Sequence, residues 1–279
     1  MDNSSQRAFW TDEAGQTWVD QRQVMDQTLA PVLDAVLDWS DLRPGERVLD
    51  IGCGAGTSTF EAAERVGPTG QVRGVDISTT LLDDARQRGA NLPNVDFMLC
   101  DAGTADFRDD LHDVILSRFG VMFFADTQTA FTNMAKGLKP KGRMVFATWG
   151  DIAQNPYFTM PARISKTILG DPGKTDPDAP GPLALRDIEK VTGYLRGAGL
   201  TDIEAEAIPM HLTPPGGVDD VVALMCHIGP AERGLQHFQP DAATRARLHA
   251  ALAEAVAPWQ TKEGIRIPAL INLFSARAA

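Results

Sequence analysis

Cysteine is scarce in this chain of 279 residues: Cys53, Cys100 and Cys226 stand far apart, an odd number with no CxxC pair. That usage supports neither a zinc ribbon nor a thioredoxin-type redox site, and it makes a reduced, cytoplasmic setting the expectation. Histidine is nearly as thin. The five present show no HxxxH or HExxH spacing, so no metal is expected on one helix. Basic charge is short as well. Lys and Arg number 26 against 37 Asp and Glu, a net charge of −11, which argues against a nucleic-acid partner held by phosphate contacts. No apolar run approaches the roughly 18–20 residues that span a bilayer, and Met1 to Trp10 lacks the basic-then-apolar pattern of a signal peptide. Gly (25) and Pro (18) are too few for a collagenous or low-complexity chain, and 43% hydrophobic with 23% charged residues is ordinary for a globular one.

Three stretches differ in pattern. Residues 1–43 are polar with apolar anchors at helical spacing (Val24, Leu29, Val32, Leu33, Val36, Leu37) and read as an amino-terminal helical cap of one or two amphipathic helices. Between residues 46 and 150, short apolar runs alternate with helical patterns. Strands are predicted over 47–51, 71–76, 95–99, 113–117 and 144–149. Helices are predicted over 57–66, 78–88 (with Ser78 as N-cap) and 127–138, the last closed by the Lys139-Pro140-Lys141-Gly142 turn. Such alternation implies an α/β fold, a parallel sheet with helices on both faces. Residues 151–279 are less regular. A Pro- and Asp-rich loop runs over 171–182, helices are predicted over 187–199, 219–227 and 241–257, and strands over 203–211 and 265–275. These later elements read as a cap over the ligand crevice, with insertions near 151–199 and 212–262 in a domain spanning 44–279.

The most informative segment is Val48-Leu49-Asp50-Ile51-Gly52-Cys53-Gly54-Ala55-Gly56-Thr57. A strand runs into a glycine-rich turn and then a helix, the place that borders the ligand crevice of an open α/β sheet. A phosphate-cradling Walker loop would need a Lys after Gly56. The dinucleotide fingerprint would need Gly or Ala where Thr57 stands. What remains is an acid followed by alternating glycines. A carboxylate at Asp50 would repel a pyrophosphate but suits a ligand carrying ammonium or sulfonium charge. Asp76 ends the second strand, where a carboxylate can accept both ribose hydroxyls. Asp101 ends the third, where an adenine edge would lie.

Val48 to Gly56, the Gly74-Val75-Asp76-Ile77-Ser78 run, Cys100-Asp101-Ala102 and Leu138 to Arg143 together resemble the class I methyltransferases that use S-adenosyl-L-methionine (SAM). The resemblance covers about residues 30–150. It implies a Rossmann-like seven-stranded sheet whose last strand is antiparallel. It also implies cofactor-binding roles. Gly52, Cys53 and Gly54 would line the methionine part, next to Gly56 in the same loop and with Asp50 near the ammonium. Asp76 would hold the ribose, Ile77 would pack on the adenine, and Asp101 and Ala102 would meet its edge. Ser117 and Arg118 would flank the reacting end. The family's usual Pro-Gly-Gly turn is Pro140-Lys141-Gly142 here, away from the cofactor.

After the fourth strand stands Ser117-Arg118-Phe119-Gly120-Val121-Met122-Phe123-Phe124, not the Asp-Pro-Pro-Tyr type of motif that amino-group enzymes acting on adenine or glutamine show. With Trp149 and Asn155-Pro156, read as the start of a cap helix, this run resembles the small-molecule branch near the ubiquinone and menaquinone C-methyltransferases and natural-product O- and N-methyltransferases. Transfer to a small-molecule acceptor by in-line displacement is the function implied, with the acceptor atom open. A catalytically silent SAM-binding sensor and a protein or RNA methyltransferase stand as alternatives. Trp18, Phe119 and Trp149 are the candidate substrate-pocket residues, with Trp10, Phe123 and Phe124 as further aromatic candidates. His211, at a strand end, and Arg118, a partner for a substrate carboxylate or phosphate, are the candidate catalytic residues. His227, His237 and His249 receive no role. A homodimer is one assembly the sequence leaves open.

Overall fold

The computed structural model describes residues 3–173 and 176–279. Its amino-terminal stretch forms four helices where the spacing predicts one or two: α1 (Ser4–Thr11), α2 (Glu13–Asp20), α3 (Arg22–Thr28) and α4 (Ala30–Ser40). The chain leaves helical geometry at Asp12, and Pro31 opens the first turn of α4, where its missing N–H costs nothing. Val32, Leu33, Val36 and Leu37 form the buried face of α4.

The next half follows the predicted alternation: β1 (Arg47–Ile51), α5 (Thr57–Val66), β2 (Gln71–Asp76), α6 (Thr79–Gly89), β3 (Val95–Leu99), β4 (His112–Arg118), α7 (Thr127–Ala135) and β5 (Leu138–Trp149). Ser78 caps α6, its hydroxyl accepting the Leu81 N–H at 3.2 Å. The helix predicted to reach residue 138 stops at Ala135. Leu138 already pairs with His112 on β4, so the 139–142 segment is the kinked start of β5 and not a turn that closes a helix. Lys141 turns left-handed there, with φ 63°.

The remainder comprises α8 (Pro156–Ile168), α9 (Ile188–Gly197), β6 (Leu200–Leu212), α10 (Val218–His227), α11 (Pro230–Phe238), α12 (Ala242–Val256), the short hairpin β7 (Gln260–Thr261) and β8 (Gly264–Ile265), and β9 (Ile267–Ala278). No helix is predicted over α11, because Gly229, Pro230 and Gly234 mask its periodicity.

Seven strands form one sheet in the order β3-β2-β1-β4-β5-β9-β6. The first five are parallel, and β9 runs antiparallel to both β5 and β6. Residues of β1 and β4 are buried along nearly their whole length, as strands covered on both faces must be. Phe146 of β5 stacks on Phe274 of β9 with ring centres 4.9 Å apart, and Phe131 of α7 packs on Phe146 at a tilt, at 5.3 Å. At the amino ends of the strands, Asp110 pairs with Arg47 and Arg73 and so ties β1 to β2. The chain fills the sheet leftward from β1 and then rightward from β4. The reversal lies between these two strands, and the crevice beyond their carboxyl ends is where an open α/β sheet binds ligands.

Candidate functional site

A cavity of about 550 Å³ opens at that reversal, within the roughly 300–1,000 Å³ range of small-molecule sites. Its floor is the turn after β1. Gly52, Gly54 and Gly56 all have positive φ, at 64°, 56° and 88°. The turn hangs on the end of β2, with the Gly52 and Cys53 N–H groups donating to the Val75 carbonyl at 2.9 and 3.1 Å. At Gly52 a Cβ would stand 2.6 Å from the Gly120 Cα, so two chain segments cross there with no room for a side chain. At Gly54 a Cβ would meet nothing within 4 Å, because that face is open to the cavity. Cys53 also borders the cavity, and burial holds its thiol well above the usual range.

Three of the strand-end carboxylates behave differently. Asp76 borders the cavity with both oxygens held by backbone, Oδ2 by the Gly54 N–H and Oδ1 by the Ser78 N–H, each at 2.9 Å. Burial raises its pKa, against the lowering effect of these N–H groups. Asp101 also borders the cavity. Its Oδ1 accepts from the Asn3 side-chain amide at 3.0 Å and from the Gly103 N–H at 2.8 Å. Asp50 lies behind the wall, fully buried. Its Oδ2 accepts the Ser58 and Thr59 hydroxyls at 2.6 and 2.7 Å, while Oδ1 has no partner. Desolvation pushes its pKa up to about 6, opposed by those hydroxyls.

Ile77, Ala102, Arg118, Trp18, Phe119 and Trp149 all border the cavity. Four expected positions do not. Asp50 is screened by the turn itself. Gly56 is turned onto Phe60 and Phe97 under the loop. The Ser117 hydroxyl is spent on the Ile51 carbonyl at 2.7 Å, strapping β4 to β1. His211 is exposed on β6, opposite Pro268. The order β1-β4-β5-β9-β6 puts that edge strand four spacings from β1, roughly 19 Å at ~4.8 Å per strand. A proton-transfer role for His211 in this cavity is therefore corrected.

Arg118 ends β4 and pairs with Asp26 of α3 at 3.2 Å. Asp26 also accepts the Thr57 hydroxyl at 2.6 Å, and Arg88 reaches the same hydroxyl and the Ala55 carbonyl. This charged knot ties the amino-terminal helices to the glycine turn. The next residue, Phe119, has φ 69°, a strained conformation for a bulky side chain. It stacks on Trp149 with ring centres 4.8 Å apart and planes 3° apart, and Tyr157 of α8 lies parallel beyond at 6.2 Å. Across the cavity, Trp10 meets Trp18 at 5.8 Å and Phe123 at 5.2 Å, both edge to face. The Trp10 carbonyl accepts the Ser78 hydroxyl at 2.6 Å, and the Thr11 carbonyl that of Thr80 at 2.5 Å, so α1 is strapped over the end of β2.

Sequence reasoning misses Asn3, Asp26, Tyr157, Phe158, His227 and Glu232, which also border the cavity. Their helices show only ordinary amphipathic spacing. Tyr157 stands in the Asn155-Pro156-Tyr157 run, whose reading as a helix start is the one signal present. Among the described residues, no group of three or more His, Cys, Asp or Glu could hold a metal ion, and no helix is long and apolar enough to cross a membrane.

Comparison with known proteins agrees with this geometry. The chain is 37% identical over 120 residues to the aklanonic acid methyltransferase DauC of Streptomyces sp. strain C5, covering 42% of this chain and 54% of that protein. It is 37% identical over 118 residues to the nocamycin O-methyltransferase of Saccharothrix syringae, covering 41% of each. The chain thus spans about half the length of these curated relatives. In fold it is similar to phosphoethanolamine N-methyltransferase 2 of Haemonchus contortus, solved with S-adenosyl-L-methionine. The TM-score is 0.59 at 18% identity, over 98% of this chain and 59% of that one. Residues 42–168 match the family described as methyltransferase domain.

Proposed function

We propose that the chain is a SAM-dependent methyltransferase acting on a small, largely apolar acceptor. The observation that carries this reading is that one cavity joins the acid-and-glycine cleft to an aromatic chamber. The residues present fit the cofactor. The open face at Gly54 leaves space along the backbone. Asp76 uses each oxygen once and keeps acceptor capacity toward the cavity. The partnerless Asp50 Oδ1 puts an uncompensated acceptor behind the loop, which favours a cationic ligand over a phosphate.

On this reading Gly52, Cys53 and Gly54 line the methionine part, with Asp50 behind them near the ammonium. Asp76 takes the ribose, Ile77 packs on the adenine, and Asp101 and Ala102 meet its edge. When bound, SAM supplies a methyl carbon on a positively charged sulfur, an electrophile that needs no further activation. The chain's own residues hold the two partners in line and keep water out, effects worth roughly 7–11 kcal/mol at best. Trp10, Trp18, Phe119 and Trp149 line the chamber, where a ring face turned to the ligand attracts a cation by roughly 0.5–2 kcal/mol. Residues 1–43 and the segments near 151–199 and 212–262 serve as the cap of a cofactor domain spanning 44–279. The acidic balance and the three free cysteines support a cytoplasmic setting without a nucleic-acid partner.

Incubation with methyl-labelled SAM and a fractionated cell extract tests the acceptor class. Label in the low-mass, organic-soluble fraction is expected. Label confined to protein or RNA would contradict the reading.

A further inference from the structure

Among the five histidines, His227 alone borders the cavity. It closes α10, and its Nδ1 lies 2.7 Å from the Ala223 carbonyl one turn back. A carbonyl oxygen only accepts, so Nδ1 carries the hydrogen and the neutral ring keeps its lone pair on Nε2. The ring is thus held in one tautomer by its own helix. The side chain is exposed, so a proton taken up at Nε2 can pass on to water.

The packing of α11 places this wall. Where Gly234 would carry a Cβ, Leu169 and Ser165 stand 3.2 and 3.4 Å away, and Phe238 stands 3.0 Å from the corresponding point on Gly170. α11 and α8 therefore run in the same direction. Along the helix axes, the start of α11, just after His227, falls within roughly one to two turns of Phe158, since four residues advance roughly 6 Å. Phe158 meets Trp149 edge to face at 4.8 Å, and Trp149 stacks on Phe119. His227 accordingly belongs to the aromatic end of the cavity, away from Asp76 and Asp101.

We propose that His227 is the proton acceptor of this site and that the molecules it serves are planar compounds bearing an acidic hydroxyl, phenols or enols, methylated on oxygen. The proposal rests on the methyltransferase reading above. The parallel rings of Phe119, Trp149 and Tyr157 shape a wall for a flat molecule. Of the other titratable groups on the cavity wall, Asp12 adjoins Thr11 at the β2 end of the cavity, with Asp76 and Asp101, and several others are committed. Asp26 is engaged by Arg118 and Thr57, and Glu232 has a partner of its own. Burial pushes the Tyr157 hydroxyl up to about 12, so it stays protonated. The charged groups on helices packed against α10 are Glu232 and Arg233 of α11 and Arg245, Arg247 and Glu254 of α12, with Arg245 near Cys226 beside His227. In the step, the acceptor O–H gives its proton to Nε2 and the bonding pair stays on oxygen. That oxygen bonds to the methyl carbon as the carbon–sulfur pair returns to sulfur, and the imidazolium releases its proton to solvent.

The test uses the full chain with 15N-labelled histidine, saturated with S-adenosylhomocysteine, and two probes, 1-naphthol and 1-methoxynaphthalene. The expected result is that 1-naphthol moves the His227 Nε2 resonance away from its free-base position while the methoxy compound does not. His227→Gln should weaken 1-naphthol binding about tenfold, and leave the methoxy compound and S-adenosylhomocysteine bound as before. Equal binding of both probes to wild type and variant, with His227 unmoved, would overturn the proposal. Failure of wild type to bind either naphthalene would overturn it together with the reading of an apolar acceptor chamber. Failure to bind S-adenosylhomocysteine would overturn the cofactor reading beneath both.

Discussion

Asp50 and Asp76 end neighbouring strands and are both buried, yet only Asp76 has each oxygen satisfied. The imbalance at Asp50 has a measurable consequence. Its carboxyl titrates near the usual 3.8 in the unfolded chain and at about 6 when folded. Between those values the folded state holds the extra proton, so stability falls as pH rises through this window and stays lower above it. Asp50→Asn removes the buried charge. It is expected to raise Tm at pH ~8, by an amount equivalent to about 1–3 kcal/mol, and the gain should fade below pH ~4. A gain of equal size at both pH values, read by thermal unfolding, would contradict this account. The same substitution should weaken SAM binding, because the buried charge that destabilises the fold favours a cationic ligand. Gly52 makes a different demand. Its φ of 64° and the 2.6 Å approach of Gly120 leave no place for a methyl group. Gly52→Ala should cost about 1–3 kcal/mol, visible as a lower denaturation midpoint in urea.

Helix α1 acts on the site through its first and last turns. The Asn3 amide donates to Asp101 Oδ1 as an adenine amine would, and its carbonyl oxygen accepts the Ala125 N–H at 2.8 Å. An incoming nucleoside therefore meets a carboxylate already in use. Asn3→Ala should speed association of S-adenosylhomocysteine several-fold, followed by stopped-flow fluorescence of Trp10 and Trp18. An unchanged or slower rate would contradict competition at Asp101. The elements that could be read from sequence are those whose cause is local. β1, its turn and α5 are dictated within ten residues by strand-end acids, glycines and a helix start, and Ser78 announces α6 by its own side chain. α7 ends three residues before its predicted limit because pairing of Leu138 with His112, a contact 26 residues long, outweighs the last helical turn. α11 is masked by Gly229, Pro230 and Gly234, of which Gly234 serves the close packing on α8.

The whole sheet explains why the site was only half legible. Asp76, Asp101 and the glycine turn cluster because consecutive parallel strands bring their ends together, an arrangement that sequence order alone conveys. His211 follows the same logic and fails, because β9 inserts between β5 and β6 and moves β6 to the edge. Asp26, Tyr157 and His227 reach the cavity from three separate helices, and nothing in the spacing of any one helix foretells that meeting. A chain assembled this way should be stabilised as a unit by its ligand. At 100 times its dissociation constant, S-adenosylhomocysteine should add roughly 2.7 kcal/mol, a rise of several degrees in Tm. The most direct measurement is calorimetric titration of S-adenosylhomocysteine into wild type and Asp76→Ala. A hydrogen-bonded carboxylate contributes about 1.5–3 kcal/mol, so wild type should bind and the variant should bind roughly 10- to 150-fold more weakly. Equal affinity of the two proteins, or no binding by wild type, would contradict the account.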